Sequence, residues 1–416
     1  MKEKALALRK NLFILIPLSY YLIQGVIHNL GHVVTPTYVN TLGIPQFMFG
    51  FFFASMSLGM LIGAPIWGIL GDQRTKKPLI LFGLLLYSLG QVLFVLVENL
   101  YLMTFARFLS GFGVAAYLTL MLSHVIGVVD LGKRTKYLSL SAALFALGTT
   151  FGYQIGGIMG DYFIREVFYV QAILNTVFVI FIALSMKETR QKTAVKKQSF
   201  FENLREASRL DRSLLLFLIA LTLATISAST LSKYFDVYMI DLGYTPRQLG
   251  TFIMITGFIG LFTNFVIVPL LAKLKQDLVI MQVIQILSAI IVLLVFRSNR
   301  FITMLYSVFL FYYVLKATFQ PFEQNYISLN AKGDNYGTIM GVRHSFFSIG
   351  MVLGPLLSGF LYDYSKTLVF DVSAGMFLFS FVLLSLSKRR LKFETSTDEG
   401  SGMLTALETA DYKASE

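Results

Sequence analysis

The chain has 416 residues, of which 56% are hydrophobic and 14% charged, with a formal net charge of +12 and no cysteine. A soluble domain carries about a quarter charged residues, so a single water-soluble globule is excluded. The missing cysteines exclude a disulfide framework and a thiolate metal site.

Residues 1–10 are short and basic and lead straight into an apolar run without a small-residue cleavage pattern. They read as a cytoplasmic start and a first span, not as a cleaved signal peptide. A helix needs about 20 apolar residues to cross about 30 Å of hydrocarbon. Such segments fall near 11–36, 47–70, 78–97, 101–127, 137–160, 166–186, 213–239, 248–273, 278–296, 301–326, 337–361 and 367–387. The predicted fold class is all-α integral membrane, with these segments as its transmembrane helices. With the N-terminus in the cytoplasm and the chain alternating, 26 of the 35 Lys and Arg lie in cytoplasmic segments and 5 in outer loops. The remaining four, Arg107, Lys233, Lys316 and Arg343, lie inside spans. This bias follows the positive-inside rule and puts both termini in the cytoplasm of a plasma-membrane protein. The positive charge then faces anionic headgroups of the lipid bilayer and calls for no nucleic acid.

The longest internal polar segment, 187–212, divides the spans six and six. The predicted units are an N-terminal bundle at 1–186, a linker at 187–212, a C-terminal bundle at 213–387 and a disordered tail at 388–416. In the linker, Ser199 and Glu202 form a capping box, followed by Phe200, Phe201, Leu204 and Ala207 at helical spacing. This predicts a short amphipathic helix on the inner membrane surface. The halves also resemble each other. Residues 38–52 match 238–252 at five of fifteen positions, and 148–162 match 350–364 equally well. Two matches at offsets of 200 and 202 point to a parallel repeat, an architecture of secondary transporters.

Four motifs add to this. The loop after the second span reads G-I-L-G-D-Q-R-T-K-K over 68–77, with Gly68, Asp72, Arg74, Lys76 and Lys77. The fourth span carries Arg107 and Gly111 in R-F-L-S-G. The fifth carries Gly148, Gly152, Gly156 and Gly157 in G-x-x-x-G-Y-x-x-G-G, and the eleventh carries Gly350, Gly354 and Pro355 in a matching run. The first span ends with Pro36, Tyr38, Leu42 and Gly43. Together these resemble the signatures of the major facilitator superfamily, and in particular its twelve-span drug:proton antiporter branch. The resemblance covers nearly all of 11–387. It departs at Gln73 and Thr75, where Arg and Gly are usual, and at Tyr153, where Pro is usual.

The resemblance implies two pseudo-symmetric six-helix bundles and a cavity lined by the first, fourth, seventh and tenth helices. It implies that Asp72 engages the start of the eleventh helix, where the helix dipole favours an anion. It also implies a role near proton coupling for Arg107 and a conformational role for the glycine runs and Arg343.

The residues themselves point to polar faces inside the membrane. Tyr20, Gln24, His28 and His32 recur every four residues with Asn29 beside them. Lipid does not tolerate such a stripe, so it faces a cavity or another helix. His28 and His32 are candidate proton carriers, hydrogen-bonded packing being the alternative for each. Lys316, Gln320 and Glu323 share one side of the tenth span. Glu323 is a further candidate proton carrier, or half of an ion pair with Arg343. Tyr117 and Phe319 are candidate substrate contacts, and Lys233 with Asp236 a candidate outer gate. No phosphate-binding loop, metal cluster or nucleophile constellation occurs, so no enzyme activity, cofactor or metal is expected. The expected function is proton-coupled efflux of amphipathic or drug-like small molecules by a monomer using alternating access. Uptake or export of a nutrient, sugar or lipid precursor is the alternative, and a non-transporting membrane sensor or scaffold is the alternative of another class.

Overall fold

The computed structural model describes residues 2–129, 133–188, 200–207, 210–330 and 336–387. Among them eleven helices are long and apolar enough to cross a membrane. In chain order the helices of the first half are α1 (Lys2–Asn29), α2 (Thr35–Thr41), α3 (Phe47–Gln73), α4 (Lys76–Leu96), α5 (Leu100–Val128), α6 (Arg134–Gly160) and α7 (Glu166–Ser185). A short helix, α8 (Phe200–Ala207), follows. The second half holds α9 (Arg212–Asp241), α10 (Pro246–Phe262), α11 (Val268–Ala272), α12 (Asp277–Phe296), α13 (Phe301–Met304), α14 (Leu310–Asn330), α15 (Tyr336–Tyr364) and α16 (Leu368–Ser387). The pairs α10–α11 and α13–α14 are each one long helix carrying a π-helical turn, at Thr263–Ile267 and Leu305–Phe309.

The predicted first span is broken. α1 ends at Asn29 and α2 restarts at Thr35. A helix end leaves carbonyls without intrahelical donors, and in lipid these need other partners. The Gln171 side chain supplies them, donating to the Ile27 carbonyl at 2.7 Å and the His28 carbonyl at 2.9 Å. Tyr87 also donates to the His28 carbonyl, at 3.2 Å. Thr35 donates to the Gly31 carbonyl at 2.6 Å. The break is therefore satisfied by side chains of α4 and α7, far away in sequence.

The repeat appears in the backbone. α2 and α9 both end in a Schellman turn, in which a residue of positive φ reverses the chain. Gly43 has φ 63° and Gly243 has φ 86°. The N–H of Ile44 reaches the Val39 carbonyl, and that of Tyr244 reaches the Met239 carbonyl. Both turns follow the offset of 200 read in the sequence.

Within the first half α3 and α4 pack on α5, α4 on α7, and α1 on α6; in the second half α15 packs on α9 and α12 on α14. Gly148, Gly152 and Gly156 set the α1–α6 approach, since a Cβ on any of them would meet the carbonyls of Leu22, Val26 and Leu30. Gly350 and Gly354 do the same for α15 against Thr225 and Ser229 of α9. Large apolar side chains such as Phe82, Phe105, Leu184 and Phe265 are exposed on the outside, as a lipid-facing surface requires.

The halves meet along two helix pairs, α3 with α15 and α6 with α10. The close approaches cluster at the end of the molecule where α2 finishes. There Gly50 lies against the Pro355 carbonyl and Gly359 against that of Phe47, while Gly250 lies against the Tyr153 carbonyl and Gly157 against that of Pro246. An aspartate joins each pair. Asp161 accepts from the Arg247 N–H at 3.0 Å, and Asp363 accepts from the Phe47 N–H. Each carboxylate thus sits at the N-terminus of a helix from the opposite half, where the helix dipole favours an anion.

The linker helix α8 packs against α15 and α3. Its Ala207 is buried with Phe217, Leu218 and Phe322. Ser199 of the expected capping box, the side chains of Phe200, Phe201 and Leu204, and the tail 388–416 lie outside the described residues.

Candidate functional site

Among the described residues two cavities have walls from both halves, and α9 and α14 line both. The smaller, of about 240 Å³, is walled by Phe53, Lys233, Gln285, Tyr312, Phe347 and Phe377 among others. The larger, of about 580 Å³, is walled by Thr149, Tyr153, Asp236, Thr256, Asn264 and Tyr313 among others. Ser232, Lys316 and Gln320 face both. Helical geometry explains the sharing. Lys316 and Gln320 stand one turn apart on the same side of α14, and Ser232, Lys233 and Asp236 occupy just over one turn of α9.

Lys233 and Asp236, expected at an outer gate, thus line this central site. The Lys233 ammonium lies 4.1 Å from the Phe53 ring centre and the Lys316 ammonium 5.6 Å from that of Tyr313. Ring faces attract cations, and most strongly where water is excluded. Both lysines act electrostatically on Asp236. Among the described residues none of the three makes a direct ion pair or a side-chain hydrogen bond.

Glu323 also lines the smaller cavity, but Arg343 holds it. The Arg343 Nε donates to one carboxylate oxygen at 3.2 Å, and its Nη2 donates to the other. Both residues are buried, and a bidentate pair is the form in which two buried charges satisfy each other. This is the ion-pair alternative raised by the sequence. Phe319 lies on the wall of the smaller cavity.

The polar stripe of α1 goes elsewhere. Tyr20 and Gln24 are fully buried, and Tyr20 shares a hydrogen bond of 2.7 Å with Ser185. Tyr117 is also fully buried, edge-on to Tyr21. None of these three lines either cavity. Asn29 donates to the Gly25 carbonyl at 2.8 Å and to Thr149 at 3.0 Å, so it ties α1 to α6. His28 and His32 meet through their Nε2 atoms at 3.5 Å. Their rings lie against Tyr87, Phe53 and Tyr153.

Arg107 of α5 is buried, and among the described residues its partners are neutral: Thr35 Oγ1 at 2.9 Å, Gln91 Oε1 at 3.3 Å, and the Phe94 ring 3.7 Å from the guanidinium. It binds the restart at α2 to α4. In the loop motif, Gly68 is buried, Arg74 exposed, Lys77 half-buried and Lys76 buried, with the Lys76 ammonium donating to the Ser123 carbonyl at 3.3 Å. The partner expected for Asp72 lies around 331–338, outside the residues whose side chains are described.

Sequence reasoning missed Ser232, Gln285, Asn264 and Phe53 at the cavities, and Tyr87, Gln91 and Gln171 around the α1 break. Tyr87 with Gln91, Gln171 with Asn175 and Ser232 with Asp236 are four-residue pairs that could have marked those faces, whereas Gln285 and Asn264 have no polar companion at i+4.

A family model for the major facilitator superfamily matches residues 13–312 and 278–409. The chain belongs to that superfamily. It is therefore a membrane transporter built on that fold. It is similar to multidrug resistance protein 2 of Bacillus subtilis (strain 168), at 24% identity over 87% of this chain and 91% of that protein. It is also similar to the quinolone resistance protein NorA of Staphylococcus aureus (strain MSSA476), at 23% identity over 92% of this chain and 97% of that protein. Among solved structures, the nucleoside transporter NupG superposes with a TM-score of 0.76 at 14% identity, over 90% of this chain and 99% of that one. The major facilitator fold supplies the two pseudo-symmetric bundles around the cavities.

Proposed function

We propose that this chain is a proton-coupled exporter of amphipathic small molecules that works by alternating access. The observation that carries the reading is the pair of cavities, the smaller of them largely apolar, with Lys233, Lys316 and Asp236 on their walls. The names of its multidrug-resistance relatives support the same reading. The moving units are residues 1–186 and 213–387, joined by 187–212 and followed by the tail 388–416. The protein acts as a monomer in the cell membrane with both termini cytoplasmic.

In that orientation the contacts at the α2 end close the outer face, and cargo enters from inside. Outward release requires the α3–α15 and α6–α10 pairs to part. Glycine contacts suit this, because they hold by close approach and leave little side-chain bulk to rearrange. The proton-coupling candidates are the His28–His32 pair, Glu323 in its pair with Arg343, and Arg107.

The test is efflux from proteoliposomes under an imposed pH gradient. Collapse of the gradient by a protonophore is expected to stop concentrative export. Equal export without the gradient would sink the proton-coupled reading. Glu323→Gln and His28→Ala are expected to alter the pH profile of transport, and an unchanged profile in both would remove these carriers.

A further inference from the structure

We propose that the cargo is an amphipathic organic monoanion, its acidic group held between Lys233 and Lys316 and its apolar body against Phe53, Tyr312 and Phe347. This narrows the cargo of the transporter proposed above and rests on that reading. It does not depend on the direction of transport.

The charges on the cavity walls come from two helices alone. α9 brings Lys233 and Asp236, and α14 brings Lys316 and Glu323. The lining residues of α3, α6, α10, α12, α15 and α16 carry no charge. Arg343 neutralises Glu323. Two ammonium groups then share Asp236, and the lining keeps one positive charge. Arg107, held by neutral partners, adds to the positive potential from α5. His28 and His32 of α1, which interact electrostatically with Lys233, add no negative charge.

A cation facing a cavity inside a membrane is costly unless it is paired. Neither lysine has a direct ion-pair partner among the described residues, and each stands beside an aromatic ring. A single anionic group entering between them would neutralise the lining. A cationic cargo would meet two ammonium groups for one carboxylate. Gln285, whose Oε1 lacks a partner, and Gln320 offer amides beside the lysines, and the rest of the smaller cavity is largely aromatic and aliphatic.

Three probes with one ring system separate the charge classes: naphthalenesulfonate, naphthalenesulfonamide and naphthylmethylammonium. Binding is measured on the purified full chain in detergent, and flux on the same chain in liposomes. The sulfonate is expected to bind about tenfold more tightly than either other probe, a difference of about 1.4 kcal/mol. Lys233→Gln and Lys316→Gln should each weaken the sulfonate about tenfold and leave the sulfonamide unchanged. Lys316→Arg should retain sulfonate binding. Asp236→Asn should tighten it severalfold, which guards against a lysine variant that fails to fold. Preference for the ammonium probe, equal weakening of all three probes, or no sulfonate binding would overturn the proposal. Lysine-dependent sulfonate binding without flux of any probe would support this site and overturn the transporter mechanism proposed above. Flux of the ammonium probe alone would do the reverse.

Discussion

At the α3–α15 junction Gly50 lies against the Pro355 carbonyl, and at the α6–α10 junction Gly250 lies against that of Tyr153. The partners are related by the offsets of 200 and 202 that relate the halves in sequence. Asp363 and Asp161 occupy matching places at the helix N-termini they cap. The backbone plan is thus shared, and the side chains filling it differ. At α3–α15 the rings of Phe47 and Phe51 both meet Phe360, and Tyr234 donates to the Gln46 carbonyl at 3.2 Å. At α6–α10 one ring contact, Phe151 with Phe258, is made, and Tyr153 and Thr150 face the larger cavity. The repeat keeps two backbones within contact distance at both places. Both junctions also wall a binding space, Phe53 and Pro355 on the smaller cavity and Tyr153 and Thr150 on the larger, and they differ in how densely rings fill them.

The largest expected difference follows from that contrast. Gly50→Leu should destabilise the closed form by about 3 kcal/mol, the upper range for overpacking, because the side chain would meet a main-chain carbonyl and the buried Tyr234. Gly250→Leu should cost nearer 1 kcal/mol, since the added side chain would meet main-chain atoms of Tyr153 and Gly157 and no buried side chain. Thermal unfolding of the purified protein measures both, and equal losses would remove the asymmetry. Next in size, Asp161→Ala and Asp363→Ala should each weaken closure by about 1 kcal/mol, as for a lost N-cap. Labelling rates of cysteines introduced near the α2 end measure this. The two effects should add, because the carboxylates serve separate junctions; a coupling above about 0.5 kcal/mol would mean that the junctions act as one. The smallest effect belongs to the rings. Phe360→Leu should lose about 1 kcal/mol through two aromatic contacts, and Phe258→Leu about half of that through one. Denaturant titration resolves the pair, and a larger loss at Phe258 would reverse the contrast in ring packing.

The frame was legible because it rests on signals that survive in one sequence. Apolar length marks the spans, and the 38–52 and 238–252 match marks two turns that both need a glycine at positive φ. The break at residues 30–34 was not legible, because it depends on Gln171 and Tyr87, which reach it only after folding. The π turns leave no composition signal of their own. Of the polar stripes, the α14 stripe lines the cavities, whereas Tyr20 and Gln24 of the α1 stripe are packed inside their half. Period shows that a helix has a polar face, and tertiary packing decides whether it meets cargo or another helix. That Asp236 shares a cavity wall with Lys316 was not legible either, because it depends on how α9 and α14 pack.

The natural absence of cysteine makes the central claim, that the α2 end must open during transport, directly testable. Phe51 and Phe360 face each other across the halves with ring centres 5.8 Å apart. The thiols of the Phe51→Cys, Phe360→Cys double variant are to be bridged with a short, reducible bis-methanethiosulfonate cross-linker, which spans the space the two rings fill. In proteoliposomes the bridged protein is expected to carry no flux above empty liposomes, and reduction should restore it. Undiminished flux through fully bridged protein would contradict alternating access at this end.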